Sequence, residues 1–182
     1  ANEILRGVEH AHAHGILHRD IKPANLMIGA RGEVVVMDWG LAKKLADPNE
    51  EAGALLGTPA YMAPEQAQGR TDAIDARSDV YSLAVVFYEL FTLRHPRAHA
   101  MQSIAAMIAA VSTEDLPALQ LMADFADAGA PPALAHFVRH GLARDPARRY
   151  ATVAAMRERL DAVRDGKAPV EGVREVDLVG VA

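Results

Sequence analysis

The 182-residue sequence contains no cysteine. That excludes a disulfide framework, a thiolate zinc site, a thiol nucleophile and a dithiol redox motif, and it fits a reducing, cytoplasmic setting. Positive charge is in deficit. The formal net charge is −5 and the pI is near 5.9, which argues against a nucleic-acid-binding domain, since such domains usually carry a basic face. Lysine is scarcest: of 19 Lys and Arg residues only Lys22, Lys43, Lys44 and Lys167 are lysines. No two glycines stand at i and i+2, so Gly-x-Gly occurs nowhere. Long apolar runs are missing as well. The most apolar stretch, residues 83–93, is interrupted by Glu89 and is too short to span a bilayer. The opening ANEILRGVEHAHAHG has no charged region followed by an apolar run, so it does not read as a signal peptide. No repeat at solenoid periods stands out.

What is present is the balance of a soluble globular protein, 51% hydrophobic and 24% charged. The length suits one domain with a core of its own, plus a short tail. Ile4, Leu5, Val8 and Ala11 form a helical stripe within residues 3–14, and Gly15 is a terminator. Residues 16–25 read as a structured loop. Two short apolar runs, 26–28 and 34–37, flank Gly29-Ala30-Arg31-Gly32 and predict a hairpin. Residues 38–60 read as a long loop, which in compact domains is usually functional or disordered. Helices are expected over 63–68, 77–93, 99–111, 132–142 and 152–163, the second of them apolar on most sides and therefore buried. Residues 112–130 read as loop with a possible short helical piece. The expected fold is mainly α with a small β-hairpin, an α+β arrangement over residues 1–163, followed by a loose tail over 164–182.

The polar residues of interest fall on loops, in a fixed order. His18-Arg19-Asp20-Ile21-Lys22-Pro23-Ala24-Asn25 is followed by Asp38-Trp39-Gly40. Gly57-Thr58-Pro59-Ala60-Tyr61-Met62-Ala63-Pro64-Glu65 comes next, then Arg77-Ser78-Asp79 at the start of the buried helix, then Arg144-Asp145-Pro146-Ala147-Arg148-Arg149 before the last one. In this order and spacing the sequence resembles the C-terminal lobe of a eukaryotic-like, bacterial-type serine/threonine protein kinase, from about residue 3 to residue 163. Each motif alone is weak to moderate; the ordered set is specific.

The resemblance implies a division of labour suited to phosphoryl transfer, which needs mainly positioning and charge neutralisation. Asp20 would accept the proton of the attacking hydroxyl. Asn25 and Asp38 would be the magnesium ligands, both hard oxygen donors. Lys22 would set a positive charge near the phosphate of ATP, and with Pro23 it points to the serine/threonine class. Thr58 would order the base and the substrate loop. His18, Arg19, Gly40, Glu65, Asp79 and Arg149 are expected to be structural: His18 packing the loop, Asp79 accepting bonds from the loop backbone, Glu65 pairing with Arg149. Trp39 stands where the family usually has Phe, and core packing by another aromatic is its expected role. His10, His12 and His14, like His136 and His140, are expected at a surface or lobe interface rather than on a metal, since i and i+2 face apart on a helix. Lys43 and Lys44 read as a solvated pair.

The same resemblance exposes what is lacking. The family's N-terminal lobe brings a Gly-rich loop, a strand lysine and an adenine hinge. With no Gly-x-Gly and all four lysines placed elsewhere, those parts are not in this sequence. Two readings stand: a piece of a longer kinase, favoured by Ala1 in place of Met and an uncapped first helix, or a stand-alone lobe used as a non-catalytic scaffold or regulatory module. In the first, the chain alone is expected to be inactive and to expose an apolar face. A protein substrate and the missing lobe are the expected partners. Residues 41–56 contain no Ser, Thr or Tyr, so two readings of Arg19 stand: an acidic residue such as Asp47, Glu50 or Glu51 partners it instead of a phosphate, or it faces solvent or backbone carbonyls.

Overall fold

The computed structural model describes residues 1–44 and 56–167. Asp47, Glu50, Glu51 and the tail beyond residue 167 lie outside the described residues.

The organising element is α3 (Ala76–Thr92). Asp75 caps it, its carboxylate accepting from the Arg77 N–H at 2.7 Å. Its residues from Ser78 to Tyr88 are buried without a break, as the all-round apolar pattern predicts. Leu93, left-handed at φ 55°, ends it. Around α3 pack α5 (Ala118–Asp127), α6 (Pro132–Gly141) and α7 (Val153–Arg164). The α3–α6 crossing is close because Gly141 has no side chain: a Cβ there would lie 2.6 Å from that of Ala84. Phe87 meets Phe137 at 5.8 Å and Tyr88 meets Phe125 at 5.7 Å. Each fully buried large side chain of this kind contributes about 1.5–3 kcal/mol.

The first helix, α1 (Asn2–Ala13), buries Ile4, Leu5, Val8 and Ala11, the stripe read from the sequence. It lies on α7 and on the hairpin β2 (Leu26–Ile28)–β3 (Val34–Val36), paired antiparallel with Leu26 opposite Val36. A second pairing was not anticipated. β1 (Ile16–Leu17) pairs antiparallel with β4 (Lys43–Lys44). Lys43 and Lys44 are therefore the closing edge of the loop region, not simply a solvated pair. Two-residue strands carry no periodicity to read.

Two helices differ from expectation. Residues 118–127 form a full helix where loop with a short helical piece was expected, because Leu121 and Phe125, four apart, are both buried in the main core. The helix expected over 99–111 starts later, as α4 (Ile104–Thr113). Ser103 sets its start by accepting the Ala106 N–H at 3.1 Å. A short α2 (Pro64–Ala67) packs on α4 around a smaller core of Met62, Ala67, Met107 and Val111. Among the described residues no helix is long and apolar enough to cross a membrane.

Candidate active site

The loop from His18 to Asn25 is pinned from below by one carboxylate. Asp79, in the first turn of α3, accepts the backbone N–H of His18 on Oδ2 and that of Arg19 on Oδ1, both at 2.9 Å. A helix N-terminus favours a carboxylate there. His12 of α1 adds a third contact, its Nε2 lying 2.7 Å from Asp79 Oδ2. The expected surface role of the His10/His12/His14 group is thus corrected for His12, which ties α1 to the loop through α3. His10 and His14 do pair, with ring centroids 4.6 Å apart. No cluster of three or more metal-ligating side chains occurs among the described residues.

His18 is fully buried. Its Nδ1 accepts the Asp20 N–H at 3.3 Å, so Nε2 carries the proton and donates to the Met37 carbonyl at 3.0 Å. This spends both ring nitrogens on positioning, as expected of a packing residue. Arg19 is left-handed at φ 67°. Its carbonyl accepts from Gln66 Nε2 at 3.1 Å and its Nε donates to the Leu41 carbonyl at 2.7 Å. Those bonds hold a conformation that costs a non-glycine residue about 1–2 kcal/mol.

The bend brings Asp20, Lys22, Asn25 and Thr58 together. Asp20 Oδ1 accepts from the Thr58 N–H at 2.8 Å and the Thr58 hydroxyl at 2.7 Å. Asp20 Oδ2 accepts from Lys22 Nζ at 2.6 Å and Asn25 Nδ2 at 3.3 Å. Lys22 Nζ also donates to Thr58 Oγ1 at 2.8 Å, so that hydroxyl donates and accepts at once. Burial raises the affinity of the Asp20 carboxyl for its proton, but the bonds from Lys22 and Thr58 outweigh it, and the net effect is a pKa below the ordinary aspartate value. Asp20 is therefore ionised at neutral pH while only 7% exposed. The close approach of the Thr58 segment depends on Gly57 at φ +117°, where a Cβ would stand 2.9 Å from the Arg19 carbonyl oxygen.

Asn25 donates its amide twice, to the Asp20 carbonyl at 2.9 Å and to Asp20 Oδ2. Its side-chain oxygen faces neither. Asp38 follows β3 at the end of the hairpin, in a left-handed turn at φ 58°, and among the described residues its Oδ1 accepts only a long 3.4 Å contact from the Gly40 N–H. Two oxygen-bearing side chains with acceptor capacity to spare suit an ion such as Mg²⁺, which usually takes one or two protein oxygens and completes its shell with substrate phosphates and water. Trp39 departs from expectation. Its ring lies 4.5 Å from that of His18 and its Nε1 donates to Val36 O at 3.1 Å, yet it is 37% exposed and so only half in the core. Met27, Ile28 and Val35 of the hairpin are exposed as well.

The outer frame is the buried pair of Glu65 and Arg149, bidentate at 2.8 Å for both bonds. Ser78 donates to Glu65 at 2.7 Å, and Arg149 reaches the carbonyls of Arg77, Ala143 and Arg144 and stacks 5.0 Å over Tyr81. Burial alone would raise the Glu65 pKa; the Arg149 and Ser78 bonds hold it below the usual carboxylate value.

Sequence reasoning missed three positioning residues: His12, Gln66 and Arg97. His12 was findable, being four residues after buried Val8. Arg97, fully buried on Tyr81 Oη at 2.7 Å, and Gln66 carry no local signal.

The sequence profile of the Protein kinase domain matches residues 1–160. Serine/threonine-protein kinase PknB of Mycolicibacterium smegmatis is 41% identical over 170 residues, covering 92% of this chain and 26% of that protein. PknB of Mycobacterium tuberculosis is 37% identical over 179 residues with the same two shares, 92% and 26%. Serine/threonine-protein kinase Pkn1 of Myxococcus xanthus is 39% identical over 166 residues, 87% of this chain and 23% of that protein. The chain thus spans about a quarter of the length of these relatives.

Proposed function

The chain belongs to the protein kinase family, and from that premise we propose that it is the C-terminal, catalytic lobe of a cytoplasmic serine/threonine protein kinase that transfers the γ-phosphate of ATP to protein hydroxyls. One observation carries the reading: Asp20 is buried, ionised and held by four donors. A scaffold has no chemical need of a carboxylate kept in that state.

ATP and Mg²⁺, when bound, supply the transferable phosphoryl group and its countercharge. The rest is the work of this chain's residues. Asp20 orients a serine or threonine hydroxyl and accepts its proton, a contribution of about 10²–10⁴ in rate. Lys22 keeps a cation beside the carboxylate and offsets negative charge arriving there. The Asn25 and Asp38 oxygens would hold the metal. Thr58 fixes the carboxylate's rotamer and brings the 57–61 segment alongside it, where a substrate hydroxyl would enter.

The chain alone is inactive in this account, because it has no Gly-x-Gly and its four lysines, at 22, 43, 44 and 167, all stand elsewhere than a strand lysine above the phosphates would. The exposed Met27, Ile28 and Val35 are the apolar face that a nucleotide-holding lobe would cover. The second reading, a non-catalytic module, rests on that same lack. Joining the chain behind the N-terminal part of the M. smegmatis PknB kinase domain separates the two. The kinase reading predicts Mg²⁺- and ATP-dependent phosphoserine and phosphothreonine on a basic test protein, lost in Asp20→Asn. A folded joined protein without that activity supports the module.

A further inference from the structure

A groove of about 1080 Å³ opens between α6, α7 and the segments around residues 115 and 142–150. It shares no lining residue with the Asp20–Thr58 cluster. Arg139, Arg144, Arg148 and Arg159 line it, against two carboxylates, Asp115 and Asp145. In a chain of net charge −5 this is a local reversal of sign.

The two carboxylates do little to neutralise it. Asp145 is engaged as a cap, accepting the Ala147 N–H at 2.9 Å. Asp115 lies 3.9 Å from Arg144, whose guanidinium is already turned to the carbonyls of Ser112 at 2.6 Å and Thr113 at 3.0 Å. Arg139 and Arg148 are exposed, and neither guanidinium has a hydrogen-bond or ion-pair partner among the described residues. Other arginines are paired, Arg157 with Glu9 at 2.8 Å, Arg94 with Asp124 at 3.1 Å and Arg6 with Glu3 at 3.2 Å; exposed Arg31 and Arg70 stand singly, whereas Arg139 and Arg148 line one groove. His136, in the groove wall, has two ring nitrogens that are shut off from solvent and have no hydrogen-bond partner among the described residues. Burial, and then the charges of Arg139 and Arg159, push its pKa below the ordinary histidine value; His140, its ring tilted against that of Tyr150 at 4.3 Å, is pushed the same way by the same causes.

We infer that this groove is a second binding site, taking a phosphoryl group carried on a larger organic body. The two unpaired guanidinium groups match a dianionic tetrahedral oxyanion, which accepts charge-assisted and bidentate bonds. The volume far exceeds what a bare ion fills and lies just above the upper end of the range of organic-ligand sites, about 300–1,000 Å³. Leu116 offers the body an apolar contact, with core residues Leu121 and Leu142 behind it. A small-molecule phosphate and a phosphorylated side chain share this chemistry.

Calorimetric titration of the 182-residue chain, without Mg²⁺ and at fixed ionic strength, tests the site independently of any kinase activity. The probes are sodium pyrophosphate, a phosphoserine peptide and its unphosphorylated twin. Saturable binding of a phosphorylated probe, absent for the twin, is expected, and R139Q/R148Q should weaken it at least tenfold while Arg164→Gln, outside the groove, leaves it unchanged. Pyrophosphate binding as tightly as the phosphopeptide points to a free phosphate ligand; tighter phosphopeptide binding points to a protein-borne one. No saturable binding, or binding indifferent to R139Q/R148Q, overturns the inference. Both arginines are exposed, so circular dichroism should find the variants folded.

Discussion

Asp20 and Asp38 are the two acids of the candidate site, and they are held in very different ways. Asp20 is 7% exposed, its oxygens take four donors, and the loop that carries it is anchored to the buried helix α3 through Asp79. Asp38 is exposed, sits in a left-handed turn at the end of a small hairpin, and accepts one 3.4 Å contact among the described residues. Under the proposed function the difference follows from what each would do. A proton acceptor needs a fixed direction and a fixed charge, both supplied by this chain's own helical core. A metal ligand needs lone pairs left open, and a carboxylate satisfied by its neighbours would have none to give.

The largest expected effect bears on the Asp20 side. In a protein joined to a nucleotide-holding lobe, Asp20→Asn should lower the phosphorylation rate about 10²–10⁴-fold while the protein stays folded with a modestly lower melting temperature, as a phosphate-incorporation assay with a parallel thermal melt would read. A variant that unfolds would instead make Asp20 a structural residue and erase the contrast.

Next comes the frame beneath it. Arg149→Ala leaves the Glu65 carboxylate buried and unpaired, and urea denaturation should report a loss of about 3–5 kcal/mol. The pair also sets an acid limit. Because the Glu65 pKa is lowered in the fold, its stabilisation is complete above the ordinary carboxylate range and is lost as pH falls through the folded value. Native protein should therefore lose stability on acidification more steeply than Arg149→Ala does.

A smaller effect is expected at the strap that reaches Asp20. Gly57→Ala meets both the +117° backbone and the Arg19 carbonyl oxygen. A stability loss of about 1–3 kcal/mol should accompany a larger fall in rate than that loss explains, because the Thr58 contacts move with the strap. An unchanged rate would mean that Thr58 does not set the position of Asp20.

The smallest effect on stability belongs to Asp38. Glycine accepts φ 58° without strain, so Asp38→Gly should leave the unfolding free energy within about 0.5 kcal/mol in calorimetry, while raising the Mg²⁺ concentration needed for activity. A large destabilisation would show that Asp38 is held by the fold after all.

How much was legible in the sequence follows the same divide. The acids, Asn25, Lys22 and Thr58 could be read because they stand in short runs of fixed order. The buried helix could be read from its apolar residues alone. What could not be read was made by distance in the chain. Asp20 and Thr58 are 38 residues apart, and Arg149 is 84 from Glu65; only the resemblance joined them. His12 on Asp79 and Gln66 on the Arg19 carbonyl spend ordinary residues on holding a strained turn, which leaves no mark in composition or period. The helix over 118–127 went unread although Leu121 and Phe125 have the right spacing, because Pro117 and a run of polar residues around it resemble loop. The late start of α4 was marked by Ser103, a cap that reads as one only once the turn before it is known.

The central claim is that this chain builds the proton-accepting half of the site by itself and depends on further protein to hold the nucleotide. It is tested most directly by measuring labelled phosphate transfer from Mg²⁺-bound ATP to a basic protein, with the 182-residue chain alone and with the chain joined behind the N-terminal part of a PknB kinase domain. The account predicts no Asp20-dependent transfer by the chain alone and clear Asp20-dependent transfer by the joined protein. Robust transfer by the chain alone, abolished by Asp20→Asn, would contradict it.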